Sequence, residues 1–190
     1  MIDLQDYEER ETVYESPKTI VRRGIRKADN APVILKALRQ EYPSAKEAAR
    51  LQREFEITRD LELPGVVRSI DLVPYKNSYV LVQEDFGGES LRGILKRVKL
   101  SLDGFLFVAV QLADTLGHLH RKSIIHKDVN PTNILINPQT MHTKLTDFGI
   151  ASLLPKENIV RSNLLEGTLA YISPEQTGRM NRSTDYRTDL

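Results

Sequence analysis

Short apolar runs alternate with polar turns through the first half of the chain, and longer helical stripes take over in the second. Residues 18–24 and 32–38, the latter reading Pro32-Val33-Ile34-Leu35-Lys36-Ala37-Leu38, are β-rich. The polar turn Lys27-Ala28-Asp29-Asn30 between them predicts a hairpin. After Pro43, Ser44 and Glu47 stand three apart as a capping box, and Ala48, Leu51, Phe55 and Thr58 follow at helical spacing until Pro64-Gly65 is expected to stop the helix. Residues 66–73 and 78–84 read as two more strands around Lys76-Asn77, which gives an order of two strands, helix, two strands. Past Gly87-Gly88 the pattern becomes helical. Ser101 can cap a long helix whose Phe105, Ala109, Leu112, Leu116 and Leu119 form one apolar stripe. Asn133 to Ile136 and Lys144 to Thr146 are strand-like, and 150–190 is turn-rich and polar, as a long functional segment would be.

Composition narrows the classes without choosing among them. With 190 residues, 40% hydrophobic and 28% charged, the chain can bury a real core and has room for one domain of two lobes. Lys plus Arg number 27 against 26 Asp plus Glu, so no basic excess points to nucleic acid or an acidic membrane surface. Cysteine is absent, which excludes a disulfide framework, a thiolate nucleophile and Cys-ligated zinc. The acidic start lacks the regions of a signal peptide, and the run Phe105 to Ala113 falls far short of the roughly 18 apolar residues that span a bilayer. A cytoplasmic protein with neither nucleic-acid nor membrane partners is expected.

The chemistry concentrates in His126-Lys127-Asp128-Val129-Asn130-Pro131-Thr132-Asn133, followed by Asp147-Phe148-Gly149. An Asp on a loop can accept the proton of an incoming hydroxyl; an amide oxygen five residues on and a carboxylate after the next strand can hold Mg²⁺, which takes hard oxygen ligands. The two motifs, in this order, resemble the catalytic loop and metal motif of protein kinases. By that resemblance Asp128 is the base, and Asn133 and Asp147 are the metal ligands. Val33-Ile34-Leu35-Lys36 is similar to the strand that carries the kinase lysine for the ATP phosphates, and a Glu on the next helix would orient it: Glu54 by position, with Glu56 the alternative. Tyr79 to Gly88 looks like the fifth strand and hinge, with Gln83 as gatekeeper. The adenine site implied there comprises Val21, Ile34, Gln83, Glu84, Phe86 and Leu135. Gly167-Thr168-Leu169-Ala170-Tyr171-Ile172-Ser173-Pro174-Glu175 resembles the end of an activation segment, with Ser173 in place of Ala, and separates protein kinases from small-molecule kinases. Ser152 and Ser162 are candidate phosphosites within that segment.

The resemblance implies an α+β, two-lobed protein kinase-like fold: an N-lobe over 1–86 with an antiparallel sheet and one helix, and a mainly helical, incomplete C-lobe over 87–190. It implies transfer of the ATP γ-phosphate to a Ser or Thr hydroxyl of a protein, with Mg²⁺. Three features depart from the pattern. The glycine-rich loop has Tyr14, Ser16 and Thr19 at its glycine positions, where Ser16 and Thr19 hydroxyls would have to replace close backbone approach. Asn130 stands where Ser/Thr kinases place a Lys on the transferring phosphate, so an amide replaces a charge in the catalytic set. The chain stops at the start of the helix that anchors the catalytic loop, with Asp189 in the anchoring position. A nucleotide-binding pseudokinase or interaction module is the alternative these departures suggest. The run 174–182 is similar to eukaryotic-like Ser/Thr kinase domains at the N-terminus of large bacterial multidomain signalling kinases, which implies further signalling domains C-terminal to this one.

Overall fold

The computed structural model describes residue 2 and residues 4–153, 167–177 and 184–190. They form two compact units, Met1–Glu62 with Val67–Phe86, and Leu63–Val66 with Gly87–Leu190.

The first unit is a five-stranded antiparallel sheet with one helix. Its strands are β1 (Tyr7–Glu15), β2 (Thr19–Arg26), β3 (Ala31–Leu38), β4 (Ser69–Tyr75) and β5 (Ser78–Glu84), ordered β1-β2-β3-β5-β4. Alternation along β3 and β5 puts Val33, Leu35, Ala37, Val80 and Val82 on one face, where Ile2, Leu4 and Tyr7 cover them. Each of the fully buried Val and Leu side chains contributes about 1.5–3 kcal/mol. Helix α1 (Ala45–Thr58) begins at the capping box: Glu47 N donates to Ser44 Oγ at 3.3 Å, and Ser44 N donates to Glu47 Oε2 at 3.1 Å.

Four expectations for this unit need correction. Strand β1 is absent from the sequence reading because it is polar; an edge strand has only one neighbour, and here opposite charges join the pair, Glu9 to Arg22 at 3.1 Å and Glu11 to Arg23 at 2.7 Å. The helix stops at Thr58, well before Pro64, where the Thr58 hydroxyl turns back to the Glu54 carbonyl and meets Ser69 Oγ at 2.6 Å. The fourth strand begins at Ser69 instead of 66, because Val66 bridges to Leu145 within the second unit. Ser16 does not project a free hydroxyl either: its Oγ accepts from Thr19 N at 2.9 Å and donates to the Thr19 carbonyl at 3.2 Å, which closes the β1–β2 turn.

The second unit holds β6 (Glu89–Ser90), α2 (Leu91–Leu95), α3 (Leu102–Arg121), β7 (Ile124–Ile125), β8 (Ile134–Ile136), β9 (Thr143–Leu145) and β10 (Ser152–Leu153), with short 3₁₀ turns at Pro174–Thr177 and Tyr186–Asp189. Strands β6, β8 and β9 form one sheet and β7 pairs with β10. Ser101 caps α3 through Gly104 N. The buried line of α3 runs through Val108, Thr115, Leu116 and Leu119, whereas Phe105 is 57% exposed, so the expected stripe holds only in its C-terminal half. Gly65 is needed where it stands, since a Cβ there would lie 1.8 Å from Thr115 Oγ1. Its carbonyl accepts from Leu145 N at 2.8 Å. Among the described residues no helix is long and apolar enough to cross a membrane. The fold is α+β, an antiparallel sheet with one helix in the first unit and helices with short strands in the second.

Candidate active site

In the first unit, β3 and α1 bring a lysine to a glutamate. Lys36 lies on the sheet face opposite Val33 and Leu35, and its Nζ donates to Glu54 Oε2 at 2.7 Å. Glu54 is 1% exposed, and its other oxygen accepts from Gln83 Nε2 at 3.2 Å, a link the sequence does not announce. Of the two glutamates weighed for this role, Glu54 is the one that meets Lys36. Val21 pairs in register with Lys36, and Ile34 with Gln83. Glu84 holds Arg68 through both backbone and side chain. Phe86, half-buried, closes the unit. The guanidinium of Arg23 reaches Asp85 beside it and Glu11 on β1; partial burial opposes its charge, but these carboxylates hold its pKa above the ordinary value.

In the second unit, the loop between β7 and β8 is held from three sides. Asp189 accepts from His126 N at 2.9 Å, Lys127 N at 2.7 Å and His120 Nε2 at 2.9 Å. His126 Nδ1 accepts from Asp128 N at 3.2 Å, so its proton sits on Nε2, which donates to the Thr146 carbonyl at 3.0 Å. Its ring meets the fully buried Phe148 edge-on, with centroids 4.6 Å apart.

Both carboxylate oxygens of Asp128 are engaged. Oδ1 accepts from Thr168 N at 2.9 Å, and Oδ2 from Asn133 Nδ2, also at 2.9 Å. Asn133 precedes β8 and Asp147 follows β9; because Ile134 pairs with Leu145, the two stand at the same end of one antiparallel pair, with Thr146 N donating to the Asn133 carbonyl at 3.0 Å. The Asn133 nitrogen is committed to Asp128, which leaves its Oδ1 as the atom to face a cation. Asp147 has a φ of +67°, a conformation sparsely used by residues other than glycine. Among the described residues no three His, Cys, Asp or Glu side chains gather as a metal cluster, and the oxygen donors offered here are the Asn133 amide and the Asp147 carboxylate. That pair suits Mg²⁺, which keeps several of its ligands from water or a substrate's phosphates. Leu135 lies half-buried on β8, opposite Lys144.

Asn130, read from sequence as a member of the catalytic set, is turned inward. It is 3% exposed; Nδ2 donates to the Asp128 carbonyl at 3.0 Å and Thr168 Oγ1 at 3.1 Å, while Oδ1 accepts from Thr132 N at 2.8 Å. Ser152 corrects another expectation: it is 3% exposed in β10, paired with Ile125, and its hydroxyl is out of reach of a modifying enzyme. Ser162 lies outside the described residues. Thr168 and Gln176 are the residues whose contacts with this loop sequence reasoning did not find. The first was visible only as part of the Gly-Thr motif, and the second gave no signal, since its partner lies 49 residues away.

The description of the protein kinase domain family matches residues 9–190. The chain belongs to this family. It is 32% identical over 186 residues, 97% of its length, to the probable serine/threonine-protein kinase CPE1738 of Clostridium perfringens, of which it covers 27%. It is 34% identical to the serine/threonine-protein kinase PrkC of Bacillus subtilis, over 76% of this chain and 22% of that protein. To PknA of Mycobacterium tuberculosis it is 36% identical over 76% of this chain and 35% of that one. The chain thus spans about a third or less of the curated relatives it matches. These relatives are named as kinases, which lends no support to a module without transfer activity.

Proposed function

We propose that this chain carries the catalytic machinery of an ATP- and Mg²⁺-dependent protein serine/threonine kinase. The observation that carries the reading is the clamped Asp128, with one oxygen on the Thr168 amide and the other on Asn133. A carboxylate fixed in this way is oriented before any substrate arrives, and preorganisation is what phosphoryl transfer asks of a protein. The oxygen of a Ser or Thr hydroxyl forms a bond to the γ-phosphorus as the bond from that phosphorus to the β–γ bridging oxygen breaks. The hydroxyl proton passes to the Asp128 carboxylate, and ADP leaves. Lys36, oriented by Glu54, binds phosphate oxygens. Mg²⁺ on Asn133 and Asp147 would neutralise phosphate charge. The names of the matched relatives support the choice of Ser and Thr, and a cytoplasmic setting, where ATP is abundant, is part of the same proposal.

The test is calorimetry with Mg-ATP alongside transfer to a protein rich in Ser and Thr. Asp128→Asn should abolish turnover while keeping nucleotide affinity, because the base acts on the hydroxyl and not on ATP. Lys36→Met should lose both. Absence of nucleotide binding at millimolar ATP would leave the fold without this function.

A further inference from the structure

We propose that Asn130 and Gln176 form a latch of two neutral amides that fastens the end of the 167–177 segment onto the catalytic loop and so positions Asp128. This rests on the kinase reading only for its rate measurements.

Asn130 reaches from the loop to the segment, donating to Thr168 Oγ1 at 3.1 Å. Gln176 reaches the other way, its Nε2 donating to the Lys127 carbonyl at 2.8 Å. Its oxygen is held in turn by Ser173, whose N and Oγ donate to Oε1 at 3.1 and 3.0 Å. The Ser that departs from the family's Ala at 173 therefore has a partner, and the two departures from the pattern, Asn130 and Ser173, serve one junction. Beside the Gln176 amide sits Gly167, at φ +112°, where an added Cβ would lie 3.4 Å from the Lys127 carbonyl and 3.7 Å from both Asp128 Oδ1 and Gln176 Nε2. That conformation favours glycine. It delivers the next residue's N–H to Asp128 Oδ1.

Asn130 thus acts through Thr168 and Asp128 and not on the transferring phosphate. Both of its amide hydrogens and its oxygen are already bonded, so turning to a phosphate would break this junction. A lysine at 130 restores the charge usual in the family and removes the amide oxygen that Thr132 N needs, leaving that donor unsatisfied. Being uncharged, the latch is also insensitive to ionic strength.

The experiment compares wild type, Asn130→Ala, Asn130→Lys, Gln176→Ala, Thr168→Ser and Thr168→Val. Asn130→Lys should lower kcat by about 10- to 100-fold with the KM for ATP within about twofold, the size and sign of a lost supporting hydrogen bond. Thr168→Ser, which keeps the hydroxyl, should hold the rate. Thr168→Val should lose it, and Asn130→Ala combined with Thr168→Val should lose no more than either alone. Hydrogen exchange read without nucleotide should quicken across both 124–133 and 167–177 in Asn130→Ala and Gln176→Ala. An Asn130→Lys protein as fast as wild type overturns the latch, as does unchanged exchange in both alanine variants. Should wild type itself transfer no phosphate, the kinase reading falls alone and the exchange data still decide the latch.

Discussion

Replacing Glu54 with Ala tests whether the Lys36 pair is held by burial. Glu54 is 1% exposed and the Lys36 side chain 13%, with 2.7 Å between their charged atoms. Removing one member of a buried pair costs about 3 to 5 kcal/mol, because the remaining charge loses most of its compensation in a poorly solvated place. Glu54→Ala and Lys36→Met should each fall in that range. A Glu54→Leu and Lys36→Met double variant removes both charges and puts apolar volume in their place, so its cost should lie well under the sum of the two singles. Native-state hydrogen exchange of the β3 and β5 amides reads this directly in the whole chain, as those strands carry the pairing of Ile34 with Gln83 and of Lys36 with Leu81. A loss of 3 kcal/mol corresponds to exchange about 100-fold faster. If the single variants each shift exchange less than about threefold and their effects add, the pair is solvated in effect and the argument from burial is wrong.

Two further outcomes concern the frame around the site. Ser44→Ala should cost about 1 kcal/mol through lost capping of α1; hydrogen bonds from Ser44, aided by Lys18, hold the Glu47 pKa below its ordinary 4.5, so this stabilisation is fully present above that value and is lost as pH falls through the depressed folded one. Amide exchange in α1 titrated downward from pH 5 should show that loss in wild type and a weaker one in Ser44→Ala. Gly65→Ala should destabilise the second unit by about 1–3 kcal/mol through overpacking against Thr115, with partial recovery on adding Thr115→Ala, both read by denaturant unfolding.

What could be read from sequence was what repeats locally. The β2–β3 hairpin, the capping box and the start of α3 at Ser101 depend on neighbours within a few residues, and each appears in the structure. Strand β1 escaped because its signal is the match of its acidic residues to Arg22 and Arg23, a relation between strands that no single-strand periodicity contains. In α3 the apolar residues run nearly all the way round, so spacing could not say that Val108 is buried while Phe105 is exposed. Residues 126–133 stood out in the sequence by their motif. Their connections did not: Asn130 to Thr168 and Gln176 to Lys127 span 38 and 49 residues, distances over which sequence pattern carries no contact information.

The order β1-β2-β3-β5-β4 leaves the first unit with two open borders. Each is unfit for annealing to another strand. Along β1 the exposed residues include Glu8, Arg10, Glu11 and Glu15, and two irregularities in its register bend the ladder between Glu9 and Glu11 and between Thr12 and Tyr14. Along β4 the exposed Pro74 has no N–H to offer, and a further slip separates Ser69 from Asp71. A visiting strand would therefore have to bury charge on one side and forgo hydrogen bonds on the other. The sheet is consequently protected from growth into aggregates, and whatever recognises this unit must do so through side chains and not by adding backbone to its rim.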